Sequence, residues 1–516
     1  MHTRTTRLAL LACLLALAAC GGGSSDPAPT PQPPTPAPAP APTPAPAPTP
    51  APEPVPAPVP VPPAPPPTAA DRIEPFDPGL GAKQAPVAAS GAPVAPALPA
   101  TAQIAQVTLA PLAPTPPAVA DAAAGAPLQI GTGRRIAATA SAEQTAALLH
   151  WQDSDRGTRI AALRFVAPGA QGLRLGLQLQ ALPAGAQAWF IGASGEAQLL
   201  TAAQWQALAA RNLAAGMDEH SARSYWSPEL AGEQATLVLE IPADAPVAQL
   251  RLAVPLLSHT TITPAQQLGL AKAAGSCEAS VSCSPEFIEQ GRSVARLRYV
   301  KPDGRAYQCS GTLMNDYGSS GTPWLLTARH CIADQATAST LTTDWLLRAS
   351  ACGASSTAPG HVQRSGGATL LYADEGTDTS FLRLNDSAPP GVVYAGSYFG
   401  SGALPGTAIS VVHHAEGDLQ QLSRGMITGY SVCNTSANLC TASGPAGATF
   451  LAVNWQQGVV EPGSSGAAAF ITLDQRRYLV GQLFGGTSSC SNPAGRDYFG
   501  RFELSFAQAL HRWLKP

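Results

Sequence analysis

Eight of the ten cysteines fall between Cys277 and Cys490, and the first half of the chain beyond Cys20 has none. The set is Cys277, Cys283, Cys309, Cys331, Cys352, Cys433, Cys440 and Cys490. It is even in number and contains no CxxC and no Cys/His metal spacing. It therefore reads as a disulfide framework formed in an oxidising compartment, with no metal site. One half of the chain is stapled and the other is not, so the 516 residues divide into two or three folded units plus linkers.

The N-terminus agrees with export. Arg4 and Arg7 precede an apolar run from Leu8 to Ala19, too short to span a bilayer permanently and fit for a secretory signal over residues 1–19. The run ends Leu17-Ala18-Ala19-Cys20, which resembles a bacterial lipobox, with Cys20 as the lipidated first mature residue. A simple signal peptide that happens to contain Cys20 is the alternative. Gly21 after the cysteine resembles lipoproteins sent on to the outer membrane.

From Pro27 to Pro67 an Ala/Pro alternation offers no packable face and favours polyproline II, rising about 3.1 Å per residue. With Cys20 it makes residues 20–70 a lipidated stalk able to hold a domain on the order of 100 Å from the membrane. An SH3-type ligand is a remote alternative in an extracellular bacterial setting.

Residues 71–272 form a β-rich, sandwich-like unit. Alternating runs at Gly172–Leu179 and Ala235–Ile241 predict strands half buried on one face. Ser141 with Gln144, and Thr201 with Gln204, make capping-box patterns that start two short helices. His150, Trp226 and Glu240 are read as packing or surface residues. Residues 273–516 carry many short apolar runs between Gly, Asn-Asp and Ser-Gly turns, which predicts an all-β barrel or sandwich. At its end Ser505 is placed as the cap of a helix whose Phe506, Leu510 and Trp513 form one apolar stripe. Charged residues are 12% and the net charge is -3, so there is no electrostatic footprint for nucleic acid or anionic lipid.

The chemistry lies in the stapled half. Acyl transfer to serine needs an oxygen nucleophile, an imidazole base, a carboxylate that fixes the imidazole tautomer, and N–H groups for the oxyanion. Leu325-Leu326-Thr327-Ala328-Arg329-His330-Cys331 places a histidine after an apolar strand, beside a cysteine that can fasten its loop. Cys309-Ser310-Gly311-Thr312-Leu313 lies on a second apolar strand and supplies the disulfide partner. Asp378 follows a turn and precedes the apolar strand Thr379–Leu384. Asp374 and Asp386 are its rivals, but Asp374 ends the preceding strand and lacks that context. Glu461-Pro462-Gly463-Ser464-Ser465-Gly466 supplies the nucleophile, with Ser464 the local rival of Ser465.

These segments resemble the Cys-Ser-Gly-Thr-Leu, Thr-Ala-x-His-Cys and Gly-x-Ser-Gly motifs of trypsin-like serine proteases. The resemblance implies a double β-barrel protease domain with a C-terminal helix. It also implies a triad of His330, Asp378 and Ser465, and an oxyanion hole from the N–H groups of Gly463 and Ser465. From Gly275 onward the chain resembles the bacterial lysyl endopeptidase family more closely than animal trypsins. The carrying residues are Gly275-Ser276-Cys277 with Cys283, His413-His414 with Gly417, Gly458 to Gly466, and Gly481-Gln482-Leu483-Phe484-Gly485-Gly486 with Ser488-Ser489-Cys490. That similarity pairs Cys277 with Cys490, Cys283 with Cys352 and Cys309 with Cys331; Cys433 and Cys440 have no counterpart and clip their own loop.

The same similarity puts Asp497 where the family carries the carboxylate that receives a substrate lysine, with Phe484 and Gly485 beside it. Phe484 stands where the family has His, and Ala467-Ala468 follow Gly466 where Ser-Pro is usual; both bear on Lys-over-Arg preference and rate. Ser464 brings no carboxylate next to the nucleophile, which argues against activation by a newly cut N-terminal ammonium.

The only lysines are Lys83, Lys272, Lys301 and Lys515, and the last two precede proline, a poorly cut bond. Lys83 and Lys272 thus bracket a candidate propeptide, with a protease starting at Ala273. The sequence therefore predicts an exported serine endopeptidase cutting after Lys without a cofactor. Its partners are protein or peptide substrates, and as a monomeric precursor it touches an outer-membrane or cell-surface membrane only through lipid on Cys20. Cleavage would release it extracellularly. The alternatives are a decayed protease fold acting as an adhesin, or an active protease with Arg or non-basic specificity.

Overall fold

The computed structural model describes residues 69–80, 94–98, 102–112, 127–262, 275–436 and 438–516. The signal, Cys20, the stalk, Lys83 and Lys272 lie outside the described residues.

The cysteine-free unit is a two-sheet sandwich. Its strands of interest are β1 (Leu128–Arg135), β2 (Thr158–Val166), β3 (Gly172–Ala181), β4 (Gln187–Gly192), β5 (Gln234–Pro242) and β6 (Arg251–Thr260). One sheet places β5 between β2 and β4, and the other places β6 between β3 and β1. Alternate residues of facing strands fill the space between them: Leu173, Leu175, Leu177 and Leu179 from β3, Leu237 and Leu239 from β5, and Phe165 from β2. Both capping boxes are present, Ser141 starting Ala142–Ala147 and Thr201 starting α1 (Ala202–Ala214). Trp205 of α1 packs into the same core.

The half-buried pattern expected for β3 is not what the fold shows, because Gly172 to Leu177 are buried on both faces. Arg174, on the face away from the leucines, donates to the carbonyls of Ser227 and Thr340. A Cβ at Gly176 would lie 2.9 Å from the Trp226 ring, so that ring needs glycine beneath it. Glu240 accepts from Thr158 (2.7 Å) and Trp189 (3.2 Å), and His150 is exposed, so these residues serve packing and surface as read.

The cystine-bearing unit contains two β-barrel modules. The first runs through β7 (Val294–Val300), β8 (Ala306–Met314), β9 (Trp324–Ala328), β10 (Thr342–Trp345), β11 (Ala368–Asp374) and β12 (Thr379–Leu384), in the order β10-β7-β8-β9-β12-β11. It remains an open, curved half-barrel. The second comprises β13 (Ala408–His413), β14 (Gln421–Asn434), β15 (Phe450–Gln457), β16 (Ala468–Leu473), β17 (Arg476–Gly486) and β18 (Arg496–Arg501). These close on themselves, since β17 pairs with both β16 and β18. Each module has its own apolar core, Leu297, Leu325, Trp345 and Leu382 in the first and Val411, Ile427, Val453 and Phe499 in the second. Disulfides join Cys277–Cys490, Cys283–Cys352, Cys309–Cys331 and Cys433–Cys440.

The C-terminal helix begins at Phe502, earlier than the predicted cap, and runs to Leu514 with one wider turn over Phe506–Leu510. Ser505 lies inside it and is no cap; its hydroxyl bonds Thr377 (2.8 Å) and Thr379 (2.7 Å). Phe506, Leu510 and Leu514 form the buried stripe, with Trp513 at its margin.

The two units share one sheet. Strand β1 pairs with β6 on one side and with β8 on the other, matching Gln129 to Tyr307 and Leu128 to Gln308. A buried ionic cluster reinforces the joint. Asp344 accepts from Arg296 (3.1 Å) and Arg298 (3.1 Å), and Arg298 also pairs with Glu229 of the sandwich. Burial raises the Asp344 carboxyl, but Arg298 and Arg296 outweigh burial and hold it well below the usual carboxylate range.

Candidate active site

His330 follows β9, and the Cys309–Cys331 disulfide ties the residue after it to the middle of β8. Its Nδ1 lies 2.7 Å from Asp378 Oδ2, while its backbone N–H donates to Asp378 Oδ1 at 2.9 Å. One carboxylate thus fixes both ring and backbone. Asp378 is buried and has φ +52°, a conformation that Asp tolerates better than most residues. That backbone turns its carboxylate back under His330 while Arg329 N–H takes its carbonyl (2.8 Å). The rivals are occupied elsewhere. Asp374 accepts from the Thr377 N–H and hydroxyl within its own turn, and Asp386 accepts from Gly366 N–H.

Ser465 sits on the loop between β15 and β16, which is pinned from several sides. Ser310 N–H donates to Ser465 O (2.8 Å), Ser310 Oγ to Gly463 O (3.0 Å), Glu416 N–H to Pro462 O (2.7 Å) and Gly466 N–H to Leu483 O (2.9 Å). Gly463 has φ +92° and Gly466 φ +80°; a Cβ on Gly466 would fall 2.2 Å from Thr327 Oγ1. Glycine is required at both points. With the loop's carbonyls engaged, the N–H groups of Gly463 and Ser465 donate to no carbonyl among the described residues. Ser464, the rival serine, is buried and its hydroxyl lies 2.8 Å from His413 Nδ1.

The structure does not join His330 to Ser465 by a hydrogen bond: His330 Nε2 and Ser465 Oγ are both buried and bond no group among the described residues. Such contacts are often long before substrate arrives. The Phe484 ring meets His330 edge-on at 5.9 Å and packs on Phe450 at 5.4 Å.

Asp497 is fully buried on β18, between Val453 of β15 and Gly486 of β17. Its carboxylate accepts from Trp455 Nε1 and from Ser488 N–H (3.3 Å), and pairs with no cation among the described residues. Burial pushes its pKa up, against the pull of the Ser488 and Trp455 hydrogen bonds. A Cβ at Gly486 would lie 2.3 Å from its Oδ1, so glycine clears the approach to the carboxylate. Trp455, Ser310 and His413 are supports to which the sequence reading gave no role. Ser310 and His413 stood inside quoted motifs, whereas Trp455 reaches Asp497 only through strand pairing.

Two family models match the chain: lysyl endopeptidase, C-terminal domain, over residues 271–500, and lysyl endopeptidase N-terminal domain over residues 98–261. A lysyl endopeptidase from Pseudomonas aeruginosa is 32% identical over 409 residues, covering 76% of this chain and 82% of the relative. Among solved structures, a protease from M. tuberculosis in its active form aligns at 16% identity and TM-score 0.31, covering 45% of this chain and 84% of its own. An HtrA-type protease with a tripeptide aligns at 17% identity and TM-score 0.32, covering 46% and 64%.

Proposed function

Because the chain belongs to the lysyl endopeptidase family and is therefore a serine endopeptidase, we propose that it cuts peptide bonds after lysine through an acyl-enzyme on Ser465. The observation that carries this reading is the double hold of Asp378 on His330 beside a pinned loop whose Gly463 and Ser465 N–H groups have no carbonyl partner among the described residues.

In this scheme Asp378 keeps the Nδ1 proton of His330, leaving Nε2 unprotonated to take the proton of Ser465 Oγ as that oxygen attacks the scissile carbonyl. The Gly463 and Ser465 N–H groups receive the negative oxygen. His330 then returns the proton to the departing amine, the C–N bond breaks, and a water repeats the sequence to free the acid and restore Ser465. Asp497 takes the substrate ammonium, which matches a buried carboxylate with no cationic partner among the described residues. A serine-directed fluorophosphonate should modify the purified protein once, on Ser465 by peptide mass mapping. A protein that takes no label would be a decayed protease, and label on Ser464 would reassign the nucleophile.

The same reading makes the sandwich a propeptide removed by cleavage after Lys272, on a secreted precursor held by lipid at Cys20. The lysine count supports it. The shared β1–β8 edge and the Arg298–Glu229 pair favour a precursor that folds as one body before scission. Lys272→Gln is expected to leave the precursor uncut while wild type yields a chain beginning at Ala273, read by N-terminal mass spectrometry. Maturation of the variant to an unchanged N-terminus would discard this site.

A further inference from the structure

His413 ends β13 with no exposed surface, behind the loop that carries Ser465. Its Nδ1 lies 2.8 Å from Ser464 Oγ and its Nε2 lies 3.0 Å from Ser423 Oγ. The direction of each bond follows from the ends of the chain. Ser423 Oγ is 2.6 Å from the carbonyl of Val459, which can only accept, so the Ser423 hydroxyl proton goes there. Ser423 Oγ must then accept from His413 Nε2–H, and the neutral ring leaves Nδ1 to accept from the Ser464 hydroxyl. Ser464 Oγ in turn accepts Glu461 N–H at 3.3 Å. Burial, with His414 beside it, pushes the imidazole down to about 3, consistent with this neutral tautomer. The Glu278 carboxyl, 3.8 Å from Nε2, is pushed well up by burial and then by Glu461.

We propose that His413 is a positioning residue for the oxyanion site, fastening Ser464 so that the N–H groups on either side of it, those of Gly463 and Ser465, stay converged. This rests on the reading of those two groups as the oxyanion hole. Ser310, Glu416 and Leu483 hold the loop through its backbone atoms, whereas His413 holds it through the one side chain lying between the two donors. The hydrogen-bond chain also ties both ends of the segment from Val459 to Ser464 to β13 and β14, so a loosened Ser464 would let the following peptide rotate. Acyl transfer would suffer, and lysine binding would not.

The test compares Ser464→Ala, His413→Leu and His413→Asn, the last restoring an acceptor near the Nδ1 position. Four quantities are measured on the purified wild type and variants: kcat and KM on a lysyl peptide, inhibition by a simple alkylamine that fills only the lysine site, and inhibition by a peptidyl-lysine aldehyde, whose hemiacetal oxygen enters the oxyanion site. Ser464→Ala and His413→Leu should lower kcat by about 10- to 1,000-fold, up to the loss of a whole oxyanion donor. They should weaken the aldehyde by a similar factor and leave the alkylamine within about twofold, and His413→Asn should recover at least about tenfold of the kcat lost in His413→Leu. Unchanged kcat in Ser464→Ala overturns the proposal, as does a parallel loss of alkylamine affinity. If His413→Leu fails to fold, Ser464→Ala decides alone. A wild type that ignores the alkylamine, or a Ser465→Ala protein that still turns over, counts against the reading of the site instead.

Discussion

Ser465→Ala is expected to lower kcat on a lysine-containing peptide by about a millionfold while KM changes little, the size of effect seen when a triad serine is removed. The neighbouring hydroxyl cannot take over. Ser464 is buried and its proton is committed to His413 Nδ1, so moving it toward a scissile carbonyl would break a buried hydrogen bond and unpin the loop. Ser464→Ala should therefore cost at most about a thousandfold through the oxyanion site, well short of the Ser465 effect. Stopped-flow or discontinuous assays of both variants against wild type make the comparison. Turnover of Ser465→Ala within about tenfold of wild type would refute the nucleophile assignment and with it the scheme above.

The candidate site was legible where it is written locally. A histidine after an apolar strand and beside a cysteine, an aspartate after a turn, and a glycine-flanked serine are each short segments whose local structure places the side chain. The choice of Asp378 over Asp374 rests on strand context, and Asp374 accepts from Thr377 within its own turn while Asp378 bonds His330. The two capping boxes were readable for the same reason, because four consecutive residues satisfy their own backbone.

What was not legible depends on partners distant in the chain. The alternation of β3 suggested one wet face, yet that face is covered by Trp226 and Ser227 of the same unit and by Thr340 of the barrel unit, which a period-two pattern cannot report. Arg72–Ile73 pair with Gly396–Tyr398, and Glu74 accepts from the Tyr478 hydroxyl at 2.8 Å. Nothing in the residues around Asp71 distinguishes that docking from a linker. Ser505 looked like a helix cap because hydroxyls usually serve there, but a tertiary partner won: two threonine hydroxyls compete for it inside the helix. The buried pairing of Arg296 and Arg298 with Asp344 likewise exists only once their strands are brought together.

Asp497→Asn should reverse the proposed preference for lysine. On that reading the substrate ammonium would enter beside a fully buried carboxylate, and removing the Asp497 charge would leave the cation unpaired, a loss of about 3–5 kcal/mol. At 1.36 kcal/mol per decade this is roughly two to nearly four orders of magnitude in kcat/KM for lysyl substrates. Substrates with a small apolar side chain at the same place should be cut as well as before, because Asp378, His330 and the loop of Ser465 do not bond to Asp497. The pH dependence separates this role from simple damage to the fold. Burial raises the Asp497 pKa, so in the free enzyme its charge is lost at higher pH than that of an exposed aspartate, while the substrate ammonium stays charged throughout. As pH falls through that raised value, kcat/KM on lysyl substrates should fall beyond any limb due to His330, because the neutral acid no longer attracts the cation. An apolar substrate, and the Asn variant with either substrate, should lack this second limb. The same acid limb in wild type and Asn variant would show that another group receives the lysine, and would return Asp497 to the role of a buried acid bonded to Trp455 and Ser488.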